Sequence, residues 1–429
     1  MAVHVNFSNF LKRIIEENEE FIENETIKLQ LFGDELNCST FNDGFSEFLH
    51  VAVRVKKLFR DMSKLSSIYT LALLPTYGIK KFGGKPINGR YYEFFKNLFS
   101  RFNDEKTITI NNKRITFKIV EILSDHCFLD VFFNVNAANN EFGSIPSCRI
   151  CTIPPCEYRN FNTVQKIEEN DEVYGKNVTR NPIFSEINPE IYSDYFHDIC
   201  HGILPINTYI VLQRLCSFNI LEITIFTLSG LLYDCHIRRG ENIVQDIRNI
   251  LKSNIISSKL NLTPETYRKC ITFYSGYRNL EVGYCLVLLI QDLLQKYPNS
   301  LIILCRNSIK SCLDLYELCL KKDILSDIEK KKVIEKSNQI VESSIKLYNN
   351  QFGFSKKLHY ILHYHKILNI NGGTFCDLGT DRFEAAHQPC KKFYQSSKNH
   401  KVPAMTIIRK YLVKNELFKA LKKYLIDVA

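Results

Sequence analysis

Residues 356–393 read KKLHYILHYHKILNINGGTFCDLGTDRFEAAHQPCKKF, and this stretch holds half of each of two sites. His359 and His363 are four apart, so on one helix their imidazoles share a face. Gly372 and Gly373 then break that helix. A second helical pattern carries Glu384 between Arg382 and the lysines Lys391 and Lys392. Imidazoles suit zinc, and a carboxylate suits Mg2+. Neither set is complete, so the fold must bring the remaining ligands from elsewhere in the chain.

The partners of Glu384 lie far upstream. IKLQLFGDEL, from Ile27, reads as a strand ending at Asp34 and Glu35. FLHVAVRVKKLF and SIYTLALLPTYGI read as two more strands, and short connections make the three an antiparallel meander. Aromatic residues at helical spacing predict a helix over Gly89 to Phe102. TITINNKRITFKIVEILSD turns at Asn111-Asn112 and runs as a strand to Ser124-Asp125. Two strand-end acids and one helical acid can together hold a pair of Mg2+ ions around a phosphate. Taken singly, an acid at a strand end is a solvated turn residue, and Glu35, Asp43 and Asp130 are nearby alternatives.

The partners of the histidines are cysteines. Cys148 and Cys151 form a C-x-x-C in SIPSCRICTIPPCEYR, where Pro146, Pro154 and Pro155 favour a tight knuckle. That spacing lets both sulfurs reach one Zn2+. Alone it is a weak signal, because the chain has 15 cysteines. The N-terminus has no apolar core of signal-peptide length, so a reducing compartment is expected. With His359 and His363 the pair would form a zinc staple across some two hundred residues, much of it a helical block from Phe196 to Asn350. His365 can replace His363 if the helix is distorted, and His197 with His201 is a rival pair.

The remaining features bound the function. A formal net charge of +10 mildly favours an anionic partner. The tail is the most basic part. Lys391, Lys392, Lys398, Lys401 and Arg409 open a run answered only by Glu416 and Asp427. These cations suit DNA phosphates, or form the wet side of a helix buried through Ile408, Leu412, Leu421 and Leu425. The most apolar stretch, Tyr209 to Tyr233, carries Arg214 and Glu222 and does not suit a bilayer, so no membrane partner is expected.

In order along the chain, these pieces resemble the CACTA/Mirage/Chapaev group of DDE transposases. KLHYILHYHKI followed by TDRFEAAHQPCKKFYQSSKNHKVPAMTIIRKY resembles that group's K-x-H-x-x-x-H, R-F-E-x-x-H and basic-helix sequence. IKLQLFGDEL and KRITFKIVEILSD resemble its two Asp-bearing strands. SCRIC resembles its C-x-x-C, and FHDICHGILP its HD-x-x-EG segment, with His201 in place of the acid.

The resemblance implies an α/β, RNase H-like mixed sheet interrupted by a large all-helical insertion. Its parts would be an N-terminal helix (1–26), the first sheet part (27–147), a zinc-stapled insertion (148–375) and the last part (376–429). It implies Mg2+ or Mn2+ on Asp34, Asp125 and Glu384. By likeness to Transib transposases and the V(D)J recombinase, it implies Zn2+ on Cys148, Cys151, His359 and His363. It further implies a nuclear enzyme, homodimeric when active, that cleaves and joins double-stranded DNA. Arg382, Lys391, Lys392, Lys398 and Lys401 would lie on the DNA. The segment NCSTFNDGFSEF after Asp34 departs from the group's pattern, as does His201, and both keep open a truncated or domesticated copy that binds without cutting.

Overall fold

A computed structural model describes residues 3–4, 7–19, 22, 24–38, 47–56, 68–76, 89–104, 106–110, 112–124, 128–129, 132, 148–169, 191–192, 194–216, 276–348, 355–376, 378–396 and 403–414. The chain divides into two compact units. The first comprises Met1–Val135, Arg180–Asp194 and Asp377–Ala429, and the second Asn136–Thr179 and Tyr195–Cys376.

The first unit is a mixed α/β structure. Its strands are β1 (Val3–His4), β2 (Thr26–Asn37), β3 (Glu47–Val55), β4 (Ile68–Pro75), β5 (Thr107–Ile110), β6 (Lys113–Leu123) and β7 (Ile191–Tyr192). They form one sheet in the order β1-β4-β3-β2-β6-β5, with β7 also beside β6. The expected meander is present: β2 pairs antiparallel with β3, and β3 with β4. β6 then lies parallel to β2, which requires a crossover, and helix α2 (Gly89–Asp104) lies in that connection. β7 runs parallel to β6. Asn112 takes φ +63° in the β5–β6 turn, a conformation asparagine tolerates better than most residues.

β2 is longer than its sequence suggests. Asp34 lies inside the strand, opposite His50, and the strand continues to Asn37. Glu35, Leu36 and Asn37 pair with Leu49, Phe48 and Glu47, so ladder hydrogen bonds extend the strand past two acids. Gln30, Phe32 and Asp34 share one sheet face, by the two-residue period of a strand. Gly33 faces the other way, and a Cβ there would meet the Phe128 ring at 2.4 Å. Phe128 continues into an aromatic cluster with Phe95, Phe99 and Phe132. N-terminal helix α1 (Phe7–Glu17) buries Leu11 and Ile14 and sets Phe10 edge-on against Tyr69 of β4.

The second unit is helical among its described residues, apart from the loop that carries the C-x-x-C. It contains α3 (Val164–Glu169), a π-helix (Phe196–Ile203), α4 (Leu204–Cys216), α5 (Gly276–Lys296), α6 (Ser300–Cys319), α7 (Asp327–Tyr348), α8 (Lys356–Ile361) and α9 (Tyr364–Ile370). The polar composition of 157–195 predicts an irregular span, yet it holds α3 and β7. Helix α6 starts where Asn299 Oδ1 accepts from Leu301 N at 2.7 Å. Ser326 and Glu329 open α7 as a reciprocal capping box. The core of this unit encloses Asn207, whose amide bonds Ser344 Oγ and accepts from Tyr348 Oη at 2.7 Å. Thr263-Pro264-Glu265, by sequence a helix start with Thr as cap and Pro at the first helical position, lies outside the described residues.

Candidate metal centre and carboxylate face

The metal centre is built from a loop and a helix junction of the second unit. Ile150 N donates to Cys148 Sγ at 3.3 Å, which folds the C-x-x-C into a knuckle. A backbone hydrogen bond from Ile153 likewise supports Cys151. Pro155 begins a single 3-10 turn that carries Tyr158 onto His359, their rings 3.9 Å apart and nearly parallel. Arg149, between the two cysteines, donates its backbone N–H to Tyr360 Oη and lays its guanidinium over the Tyr360 ring. These contacts join the loop to α8.

The histidines do not share one continuous helix. α8 ends at Ile361, α9 begins at Tyr364, and His363 caps the second helix. Leu362 and His363 bond back three residues instead of four, so the turn tightens there. The imidazoles still converge, with Nε2 atoms 3.1 Å apart and rings nearly perpendicular. At the C-terminal end of α9, Gly372 and Gly373 take φ +67° and +87°, and Gly373 N bonds Leu368 O in a left-handed cap.

All four donors meet. Cys151 Sγ is 3.1 Å from His359 Nε2, Cys148 Sγ is 3.6 Å from His363 Nε2, and all four ligand atoms lie within 4.8 Å of one another. A tetrahedral zinc with bonds near 2.0 Å to nitrogen and 2.3 Å to sulfur separates its ligands by about 3.3 to 3.8 Å. The cluster is fully buried and fits such an ion. Burial alone would raise the Cys148 thiol. The hydrogen bond with Cys151 and the nearby His363 and His359 outweigh it and hold Cys148 well below its ordinary value. Burial and the adjacent Cys148 push Cys151 up, and burial pushes His363 down. One sulfur poised as thiolate beside a neutral imidazole is the protonation state that favours a metal.

The alternative ligands are used elsewhere. His365 Nδ1 meets Leu362 O at 3.0 Å and its Nε2 lies 2.8 Å from Glu168 Oε1. His197 and His201 sit on the π-helix with ring centres 5.0 Å apart and gather no third ligand among the described residues.

The carboxylate face lies in the first unit. Asp34 is half-buried on β2, and its Oδ1 accepts from Glu35 N at 2.7 Å. Glu384 belongs to helix α10 (Asp381–Gln395), but its side chain, like that of Arg382, lies outside the described residues. Asp125 lies outside them entirely, as do Asp43 and Asp130. Its neighbour Ser124 donates to the carbonyl of Gly33, the residue before Asp34. Phe383, the residue before Glu384, stacks on Phe32 at 4.5 Å.

Sequence reasoning missed what lies under α10. Arg54 is buried, donates to Gln30 Oε1 at 2.7 Å and sets its guanidinium 4.7 Å from the Phe383 ring centre. Glu121 accepts from Gln30 and pairs with Lys56. His387 lies against both Phe32 and His50. The available signal was alternation, because His50 and Arg54 share one face of FLHVAVRV with the apolar Phe48 and Ala52, opposite the apolar face of Leu49, Val51, Val53 and Val55.

The tail is partly internal. Lys391 is half-buried and Lys392 exposed, while Lys398 and Lys401 lie outside the described residues. In helix α11 (403–414), Lys410 donates to Ser396 Oγ and Lys414 lies over Phe393. Ile408 is buried as expected, but Leu412 is 39% exposed, so the buried side turns instead through Ala404 and Ile407.

The sequence matches no protein-family model and no curated protein.

Proposed function

We propose that the chain is a DDE transposase-type DNA recombinase, with an RNase H-like sheet unit and a zinc-stapled helical insertion. The supporting observation is that β2, β6 and α10, the elements bearing or adjoining the three acids, meet on one part of the sheet. Ser124 bonds Gly33, and Phe383 stacks on Phe32. Each contact is made by a residue immediately before a candidate acid. A meander continued by the parallel strands β6 and β7 agrees with an RNase H-like order.

In this reading Asp34, Asp125 and Glu384 hold Mg2+ or Mn2+ in double-stranded DNA cleavage and strand transfer. Such ions activate the attacking oxygen and stabilise the leaving one. Arg382, Lys391, Lys392, Lys398 and Lys401 neutralise phosphates along the strand. Cys148, Cys151, His359 and His363 form a closed zinc site that joins the two ends of the helical insertion. Four protein ligands leave no position for substrate, so that zinc is structural. The protein acts in the nucleus, as a homodimer.

The test is nicking of DNA carrying the element's own ends, in Mg2+ or Mn2+. Asp34→Asn, Asp125→Ala and Glu384→Gln should each lower the rate at least a hundredfold while the fold persists. Cleavage that survives Asp125→Ala sinks the reading. A second reading, binding without cutting, draws on His201 standing where the resembled segment has an acid. It predicts DNA binding with no metal-dependent nicking.

A further inference from the structure

Helices α6 and α7 of the second unit enclose a groove of about 350 Å³ lined by Arg306, Lys310, Lys336 and Lys346. We propose that this groove is a phosphate-binding site. Lys310 and Lys336 share one carboxylate, Asp314, at 2.8 and 3.1 Å, and Lys346 pairs with Glu342. Four cationic groups thus face two carboxylates, a surplus of two positive charges.

Arg306 adds an unanswered donor to this surplus. Its Nε is buried and makes no hydrogen bond, and among the described residues the guanidinium has no anionic partner. A buried guanidinium donor without an acceptor is costly, and the group is shaped for bidentate bonds to a planar or tetrahedral oxyanion. Phosphate supplies several acceptor oxygens and the negative charge that the surplus calls for.

The groove is also pre-shaped. Gln339 Oε1 accepts from Ser311 Oγ across the two helices and from Lys336 Nζ within α7, each at 3.1 Å, and Lys336 reaches back across to Asp314, so the floor is fixed from both sides. Its volume is at the lower end for ligand pockets and suits a phosphate with part of the group it esterifies. The phosphate belongs either to a nucleic-acid strand or to a free phosphorylated small molecule, and the chemistry of recognition is shared. The proposal does not rest on DNA cleavage, since none of these residues belongs to the carboxylate face.

The experiment titrates the full chain with a fluorescein-labelled oligothymidylate and, separately, with inorganic phosphate by calorimetry. Arg306→Gln and Lys310→Gln should each weaken binding about tenfold, with circular dichroism unchanged. Lys332→Gln, an exposed lysine of α7 outside the groove, should leave binding as it was. Arg306→Lys should recover only part of the loss, because an ammonium cannot make the bidentate contact. Arg306-dependent binding of the oligothymidylate identifies a nucleic-acid source. Arg306-dependent binding of inorganic phosphate alone identifies a small molecule. Binding of neither probe, or an equal loss in Lys332→Gln, overturns the proposal. Asp34→Asn should leave this binding intact, so failure of the recombinase reading is separately visible.

Discussion

The two units join distant parts of the chain by different physics. In the sheet unit, β2 meets β6 and β3 through backbone ladders, and the side chains ride on a register already fixed. In the helical unit no ladder joins the knuckle at Cys148–Cys151 to the junction at His359–His363, about two hundred residues on. Side chains make that join: four ligand atoms, a tyrosine stacked on an imidazole, and an arginine over a second tyrosine. A ladder spreads its energy over many peptide groups, so single side-chain changes weaken it by degrees. A four-ligand cluster concentrates its energy at one point and should fail all at once.

Removing one ligand should give the largest effect. Cys151→Ser should abolish stoichiometric zinc, measured as one ion per chain in the parent by metal analysis. It should cost the helical unit several kcal/mol, since structural zinc contributes about 10–16 kcal/mol of apparent binding energy in small domains. Calorimetry should then show the helical transition lowered and the sheet transition little changed. If both fall together, the units do not unfold separately and the contrast is wrong.

The matching change in the sheet unit is Phe383→Ala. It removes the stack on Phe32 and the ring beside the Arg54 guanidinium, and should cost about 3–5 kcal/mol by urea unfolding, with zinc content unchanged. Loss of zinc in this variant would show that the join in the helical unit depends on the sheet.

Acid should weaken the sheet unit in a defined window. Burial holds His50 down to about 4, against an ordinary value of 6.5. Below pH 6.5 the unfolded chain takes up a proton that the folded chain refuses. Stability should therefore fall as pH drops from 6.5 to about 4, by roughly 3 kcal/mol from His50 alone, and level off below. Burial, with His50 and Lys391 nearby, also depresses His387, which adds to the slope. His50→Phe should flatten the profile, and an unchanged slope would show that His50 is not the titrating group.

The smallest effect tests the surroundings of the metal. Tyr158→Leu removes the ring stacked on His359 and should cost about 1 kcal/mol with zinc retained. A full loss of zinc would mean that the tyrosine, and not only the four ligands, closes the site.

Much of this was legible in the chain. The period-two patterns of Ile27–Leu36 and Phe48–Val55 announce strands, and the pattern from Asn299 to Tyr348 announces two helices, because burial of one face leaves a period in the sequence. The C-x-x-C and the histidine spacing announce ligands. The buried network of Gln30, Arg54 and Glu121 was obscured because polar residues at inward positions read as noise until their partners, one of them 91 residues away, are known. The end of β2 is hidden for a related reason: Asp34 and Glu35 suggest a turn locally, and only pairing with β3 carries the strand to Asn37.

The chain carries the available chemistry in its residue types and spacings: two thiols at knuckle spacing, three nearby imidazoles, acids on strands and a helix, and a basic tail. Tertiary structure decided which of these act together. It broke the helix at Leu362–His363, turned His363 toward the cysteines and gave His365 to Glu168. Spacing constrains only neighbours within a turn or two of helix. Convergence of groups two hundred residues apart is set by packing, and packing is a property of the whole folded chain.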